Sequence, residues 1–312
     1  MGYEDNSPSG AAPVRARSTD PIDSDSEQMA DSSMEPLENE PRGLPEIPLS
    51  AHMNKPAGGI SDDLLVPWGW LEVALFAILG VISSVIVTWI ASEMAVRFFG
   101  VHADDVFGTT MSTAKSLVVL FSQAVLDGGA ILFLYAMLKA RTNEPFWRSI
   151  GWRDMRTSTG KIRASMLQFV AGGAMLAVVV SFASGFLNAK ETLPIEELLQ
   201  ARVSILLFGI LGVLVAPLVE ETVFRGFLYP VVARRLGIAA GVAITGTLFG
   251  LMHAAQLWGG WGQIALLIFV GIVLTWVRAR TGTVAASYCV HLGYNSLQLI
   301  GYLIYVVGGS HH

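Results

Sequence analysis

Cysteine is almost missing from this chain: Cys289 is the one thiol among 312 residues. That excludes an intrachain disulfide and any multi-cysteine metal centre. Cys289 lies in an apolar run, where it reads as a small packing residue and not as a nucleophile. Charge is scarce as well. Charged residues make up 14% of the sequence and hydrophobic ones 53%, whereas a soluble domain is about a quarter charged. This excludes an ordinary soluble globule and leaves a multi-pass membrane protein. No basic stripe is present, so nucleic acid is excluded as a partner. The first 60 residues hold no apolar run of the signal-peptide kind, and no secretory leader is expected. The opening MGYEDN places Asn6 where a myristoylation signal carries Ser or Thr, so no lipid is expected there. Neither an internal repeat nor the half-by-half symmetry of many transporters is visible.

What is there divides unevenly. Residues 1–66 hold 13 acids and 4 bases, and the remainder holds 12 acids and 16 bases. The first stretch is rich in Ser, Pro, Gly, Asp and Glu. It cannot bury enough apolar surface to offset its ordering entropy, so 1–66 is expected to be a disordered acidic tail. After it, 67–312 reads as an all-α polytopic membrane domain. Seven apolar runs, at 69–92, 116–138, 165–187, 203–230, 238–257, 262–278 and 283–307, are long enough to predict about seven transmembrane helices. The fourth is long and ends near Arg234, Arg235 and Gly237; the sixth is short, between tight turns at Gly259-Gly260 and Thr281-Gly282. Three alternate loops are basic: Lys139 to Arg163, Arg234-Arg235, and Arg278 with Arg280. The positive-inside bias then puts those loops and the N-terminus in the cytoplasm, with the plasma membrane as the expected location. The closing GGSHH carries two histidines that do not make a site.

Against this apolar background, PLVEETVFRGFLY at 217–229 sets Glu220, Glu221 and Arg225 inside an oily helix. Each such charge costs about 2.5 to 3.5 kcal/mol at a helix centre on insertion scales. Glu221 and Arg225 are four apart with the acid first, the better orientation for a salt bridge. Glu220 points about 100° away from Glu221 and has no partner in its own helix. Pro217 frees the carbonyl of Val213 and is expected to kink the helix, and Gly226 to let another helix approach closely. Counted from the turn at Gly237, Glu220 and His253 have similar depths, about 25 Å along consecutive antiparallel helices, and are expected to face each other. Phe249, one turn before His253, lines the same face. His291 and Asn295 share a face of the last span. Alone, each of these reads as an interhelical hydrogen-bonder. Together, an unpaired Glu, two His and an Asn on three adjacent helices point to a functional site. Asp127 in the second span reads equally as a packing partner or a cavity wall, and Glu72 and Glu93 as interfacial.

PLVEETVFRGFLY, then FGLMH at 249–253, then HLGYN at 291–295, resemble the CAAX-protease and bacteriocin-processing (CPBP, Abi) family of intramembrane proteases. The pattern is Glu-Glu-x-x-x-Arg, Phe-x-x-x-His and His-x-x-x-Asn, in that order and over the last third of the chain. The resemblance implies a hydrolase that cuts a peptide bond inside the membrane. Glu220 and His253 would activate water, and His291 and Asn295 would hold the oxyanion. Independently of the family, the chain offers no Ser/His pair and no reactive Cys, so water is the natural nucleophile. A desolvated Glu220 is a suitable base for it. Glu221 and Arg225 would brace that carboxylate. No cofactor is favoured and zinc stays open: Glu220, His253 and His291 would suit a two-His, one-carboxylate zinc site, but no His-Glu-x-x-His helix is present and Asn295 is a poor zinc ligand. The expected partners are the bilayer and a peptide or protein substrate, with a prenylated CaaX peptide among the classes. Two alternatives stay open: a non-catalytic binding or scaffold protein that keeps the pocket, and a proton-coupled transporter with Glu220 and His253 as relay.

Overall fold

The computed structural model describes residues 61–107, 112–155, 165–186, 209–254, 257 and 259–309. The tail expected at 1–60 lies outside them. Every regular element among the described residues is helical. In chain order these are α1 (Trp70–Phe99), α2 (Ala103–Phe107), α3 (Thr113–Lys139), α4 (Phe146–Ser149) and α5 (Met166–Phe186). Then comes α6, a continuous helical run of Leu211–Val215, Ala216–Glu221, Thr222–Leu228 and Tyr229–Leu236. It is followed by α7 (Ile238–Met252), α8 (Trp261–Thr281) and α9 (Val284–Gly309).

A helix falls on each of the seven apolar runs, but the count of seven spans is not matched. Among the described residues, α1, α3, α5 and α8 are the helices both long and apolar enough to cross a bilayer. The run at 238–257 yields a 15-residue helix, about 22 Å long at helical rise, where a hydrocarbon core is about 30 Å thick. The sixth run, read as short, is instead a 21-residue helix. The beginning of the fourth run, 203–208, lies outside the described residues.

The distribution of side chains is inside-out relative to a soluble protein. Leu71, Val85, Phe182 and Phe186 of α1 and α5 are 68%, 68%, 72% and 73% exposed, as lipid-facing residues are. Glu221, Arg225, Arg278, Thr222 and Thr275 are fully buried. Helix α5 lies along α9, α7 along α8, and α1 along α3. Helix α6 runs through the middle, touching α3, α7 and α9. The α5–α9 crossing is tight: a Cβ on Gly293 would sit 2.0 Å from the Val170 carbonyl oxygen, and one on Gly173 1.9 Å from that of Val290. Gly293 stands between His291 and Asn295, so this contact fixes the part of α9 that carries both.

Two features of α6 depart from the sequence reading. Leu211–Val215 and Thr222–Leu228 are π-helical, so the run alternates between wide and regular turns. The first wide turn ends at Val215, two residues before Pro217, which has no N–H to close a regular one. π-Turns inside helices occur often at functional sites. Gly226 makes room for a loop and not for a helix: a Cβ there would lie 2.5 Å from the Ile150 carbonyl oxygen.

The tail boundary at residue 66 is also corrected. Asp62–Leu64 form a 3-10 turn, and Asp63, Leu64 and Trp68 are buried. Arg278 Nη1 donates to Asp63 Oδ2 at 2.6 Å. Arg234 donates to the carbonyls of Val66 and Trp68 at 2.8 and 2.9 Å, and Arg141 donates to that of Pro67 and pairs with Glu72. Three arginines from the three basic loops thus converge on one stretch, so those loops meet at one end of the bundle.

Candidate functional site

The site is built around Arg225. Its guanidinium is fully buried and fully engaged: Nη1 donates to Glu221 Oε1 at 2.9 Å, Nη2 to the Gly271 carbonyl at 2.8 Å, and Nε to Thr275 Oγ1 at 3.2 Å. Its carbon lies 4.5 Å from the centre of the Phe249 ring. One side chain of α6 is therefore tied to α7 and α8. A cation this deep persists only where every donor has an acceptor. The i, i+4 pairing expected from sequence is present, and it survives the intervening π-turn.

Glu221 extends the chain of contacts to α9. Its Oε1 also faces His291 Nδ1 at 3.0 Å. A carboxylate held by Arg225 can only accept, so Nδ1 carries the hydrogen and His291 Nε2 is left as the second functional atom. Nε2 lies 3.8 Å from Glu220 Oε2, at ion-pair distance but beyond a hydrogen bond. The side chain of Glu220 is 18% exposed, against none for Glu221. The two adjacent acids are thus unlike, as their helical phase predicts. Glu221 is locked, while Glu220 is open on one side.

The histidine at ion-pair distance from Glu220 is His291. No hydrogen bond or ion pair joins Glu220 to His253 among the described residues. Helix α7 ends at Met252, and His253 is its C-cap. Its Nδ1 donates to the Phe249 carbonyl at 3.0 Å, which leaves Nε2 as a lone pair on a half-buried ring. His253 is joined to the cluster through Phe249, whose ring lies 5.3 Å from His253, 5.7 Å from His291 and 5.4 Å from Phe224.

Both donors of α9 are engaged, His291 Nδ1 with Glu221. Asn295 Nδ2 donates to the Gly212 carbonyl at 2.8 Å, at the first π-turn of α6. Cys289 is buried, in keeping with a packing role. Among the described residues no three His, Cys, Asp or Glu are gathered as a metal site would need.

Two tryptophans that sequence reasoning missed steady the working helix from outside. Trp68 Nε1 donates to the Phe227 carbonyl at 2.9 Å and stacks on its ring, and Trp152 Nε1 donates to Thr222 Oγ1 at 3.0 Å. Thr275 and Gly271, which complete the Arg225 shell, were equally silent in the sequence, because a threonine and a glycine in a span carry no distinctive signal.

Comparison with known proteins returns one family. No curated protein and no solved structure matches the chain. Residues 202–297 match the model of the family described as type II CAAX prenyl endopeptidase, Rce1-like. Glu220, Glu221, Arg225, Phe249, His253, His291 and Asn295 all fall within that stretch. The part of the chain that carries the three motifs is thus similar to the Rce1-like type II CAAX prenyl endopeptidases, a family of membrane proteases and the one its motifs resemble.

Proposed function

We propose that this protein is an intramembrane endopeptidase in which Glu220 and His253 activate water for attack on a peptide bond. The observation that carries this reading is the unequal treatment of two neighbouring acids. Glu221 is consumed by Arg225 and His291, while Glu220 keeps an open side next to an oriented imidazole. In the proposed reaction, Glu220 takes the proton of the attacking water, and the free Nε2 of His253 accepts its other hydrogen. His291, tethered through Nδ1, donates from a protonated Nε2 to the tetrahedral oxyanion, and Asn295 turns its amide from Gly212 to add a second donor. The proton held by Glu220 passes to the leaving amine. Donors of this kind contribute about 100- to 1,000-fold each. The bond cleaved lies near the C-terminus or the membrane-proximal part of a peptide, with a prenylated CaaX peptide the first to be tried. The scheme uses no metal. The basic loops and the N-terminus are proposed to lie in the cytoplasm, at the plasma membrane.

The test is hydrolysis of a panel of labelled peptides, prenylated and not, by the purified protein in lipid nanodiscs. Glu220→Ala is expected to lower the rate by about 100- to 10,000-fold, with His253→Ala close behind and a chelator without effect. Unchanged hydrolysis in Glu220→Ala overturns the reading. Loss in chelator, restored by zinc, would replace the metal-free scheme with one in which Glu220, His253 and His291 move together around the ion.

A further inference from the structure

The four residues that follow α4, 150–153, touch both helices that carry the site. On the α6 side, Trp152 Nε1 donates to Thr222 Oγ1 at 3.0 Å, and that hydroxyl donates onward to the Leu218 carbonyl at 2.7 Å. The Ile150 carbonyl lies over Gly226, where a Cβ would come within 2.5 Å of its oxygen. On the α9 side, the Gly151 carbonyl accepts from the N–H of Val284, the first residue of that helix, at 3.0 Å. Thr283 Oγ1 accepts from the Arg153 N–H at 3.0 Å and donates to the Arg153 carbonyl at 2.7 Å. The Trp152 ring also reaches Tyr288 of α9, with centroids 5.4 Å apart. Gly151 makes the turn between the two sides at φ +96°, a conformation that residues with a side chain rarely adopt. Ile150, Thr222, Thr283 and Val284 are all buried, so these bonds form away from water, where each is stronger.

Apolar helices in lipid gain nothing by hydrophobic burial against each other, so close packing and hydrogen bonds set their register. Two of the direct bonds between α6 and α9 belong to the working groups. His291 Nδ1 meets Glu221 at 3.0 Å, and Asn295 holds the Gly212 carbonyl, a bond that opens in the proposed reaction. A third, from the Tyr288 hydroxyl to the Leu214 carbonyl, is long at 3.4 Å. The 150–153 loop is a hold of another kind. It grips the residue next to Glu221 and the start of α9, about two turns before His291, and it lies outside the proposed reaction. We propose that 150–153 is a clamp that fixes α6 against α9, with Trp152 and Thr222 as positioning residues of the Glu221–His291 pair. Thr222 follows Glu221 directly and begins the second wide turn of α6. Holding Thr222 therefore fixes the direction in which the Glu221 side chain leaves the helix.

The effect of the clamp on rate rests on the peptidase reading; its effect on the Glu221–His291 contact does not, and the two are measured separately. In the full-length protein in nanodiscs with isotope-labelled histidine, the Nδ1–H of His291 is identified by its loss in His291→Gln. It is expected to resonate downfield, as a proton held by a carboxylate does. Trp152→Phe keeps an aromatic ring and removes the donor, and Thr222→Val keeps the shape and removes the hydroxyl. Each should move that signal upfield, while Thr222→Ser should leave it in place. Where peptide is hydrolysed, Trp152→Phe and Thr222→Val should lower kcat per folded molecule by about 10- to 100-fold, the cost of a misplaced group, with KM within about twofold. Thr222→Ser should keep kcat within about threefold. The double variant Trp152→Phe with Thr222→Val should be no slower than the slower single one, as two partners in one contact require. An unmoved His291 signal in both variants, full kcat in both, Thr222→Ser as slow as Thr222→Val, or losses that add in the double variant overturns the proposal. If the wild type cleaves no peptide, the peptidase reading fails and the His291 signal alone decides the clamp.

Discussion

Among the described residues two arginines are fully buried, Arg225 and Arg278, and they are held in different ways. Arg225 sits mid-bundle, its acid four residues away in the same helix, with all three nitrogen positions engaged across α6 and α8. Arg278 sits at the basic end of the bundle. Its acid, Asp63, is 215 residues away, its ring contact is Tyr229 at 5.6 Å, and its Nε has no partner. The first pair serves the site, because the same Glu221 oxygen that meets Arg225 also orients His291. The second pins the stretch before α1 onto α6 and α8, remote from Glu220. A buried ion pair by itself therefore says nothing about function; what else its carboxylate touches does.

The contrast can be broken from either side. Arg225→Leu leaves the Glu221 charge buried without its counter-ion and is expected to cost about 3 to 5 kcal/mol of stability. Because the Glu221 carboxylate that tethers His291 loses its anchor as well, whatever protein still folds should be inactive; thermal unfolding and peptide hydrolysis in the same preparation check both halves. Arg278→Leu should cost about 3 kcal/mol, the lower end of that range, because the Asp63 turn can swing out to water. The folded fraction should keep its activity per molecule, which separates the two arginines. Replacing both partners, Asp63→Leu with Arg278→Leu, should recover most of the loss, as removal of a whole buried pair often does. If the single and the double variant unfold alike, the pair is not coupled. The smallest effect is expected for Trp68→Phe. It keeps the stacking on Phe227 and deletes one hydrogen bond, worth about 1 kcal/mol by unfolding. A change in activity beyond that of the folded fraction would show that the stretch before α1 acts on the site and does not merely anchor it.

Much of the site was legible because its pieces are local. Glu221 and Arg225 are one helical turn apart, and so are Phe249 and His253, and these spacings hold their contacts in the structure. The unlike environments of Glu220 and Glu221 followed from helical phase alone. Depth along an axis carries no azimuth, so the histidine at ion-pair distance from Glu220, His291, was not legible in the sequence. His291, placed by the close α5–α9 crossing at Gly293, came to Glu220 while His253 turned back onto the Phe249 carbonyl. Asp63 was read as tail because an acid between polar residues has a solvated prior, and nothing nearby in sequence announces Arg278.

By itself, then, the sequence determined an all-helical membrane protein, the stretches that form its helices, and the set of polar residues that an apolar bundle must gather. Hydropathy and helical periodicity act over a few turns and need no partner to be read. The tertiary structure decided which polar groups meet: the Glu221–His291–Glu220 order, the turning of Asn295 onto Gly212 and the Asp63–Arg278 clasp. Those depend on helix azimuth, on glycine-sized crossings and on where a helix stops, and all three are set by packing between segments far apart in the chain.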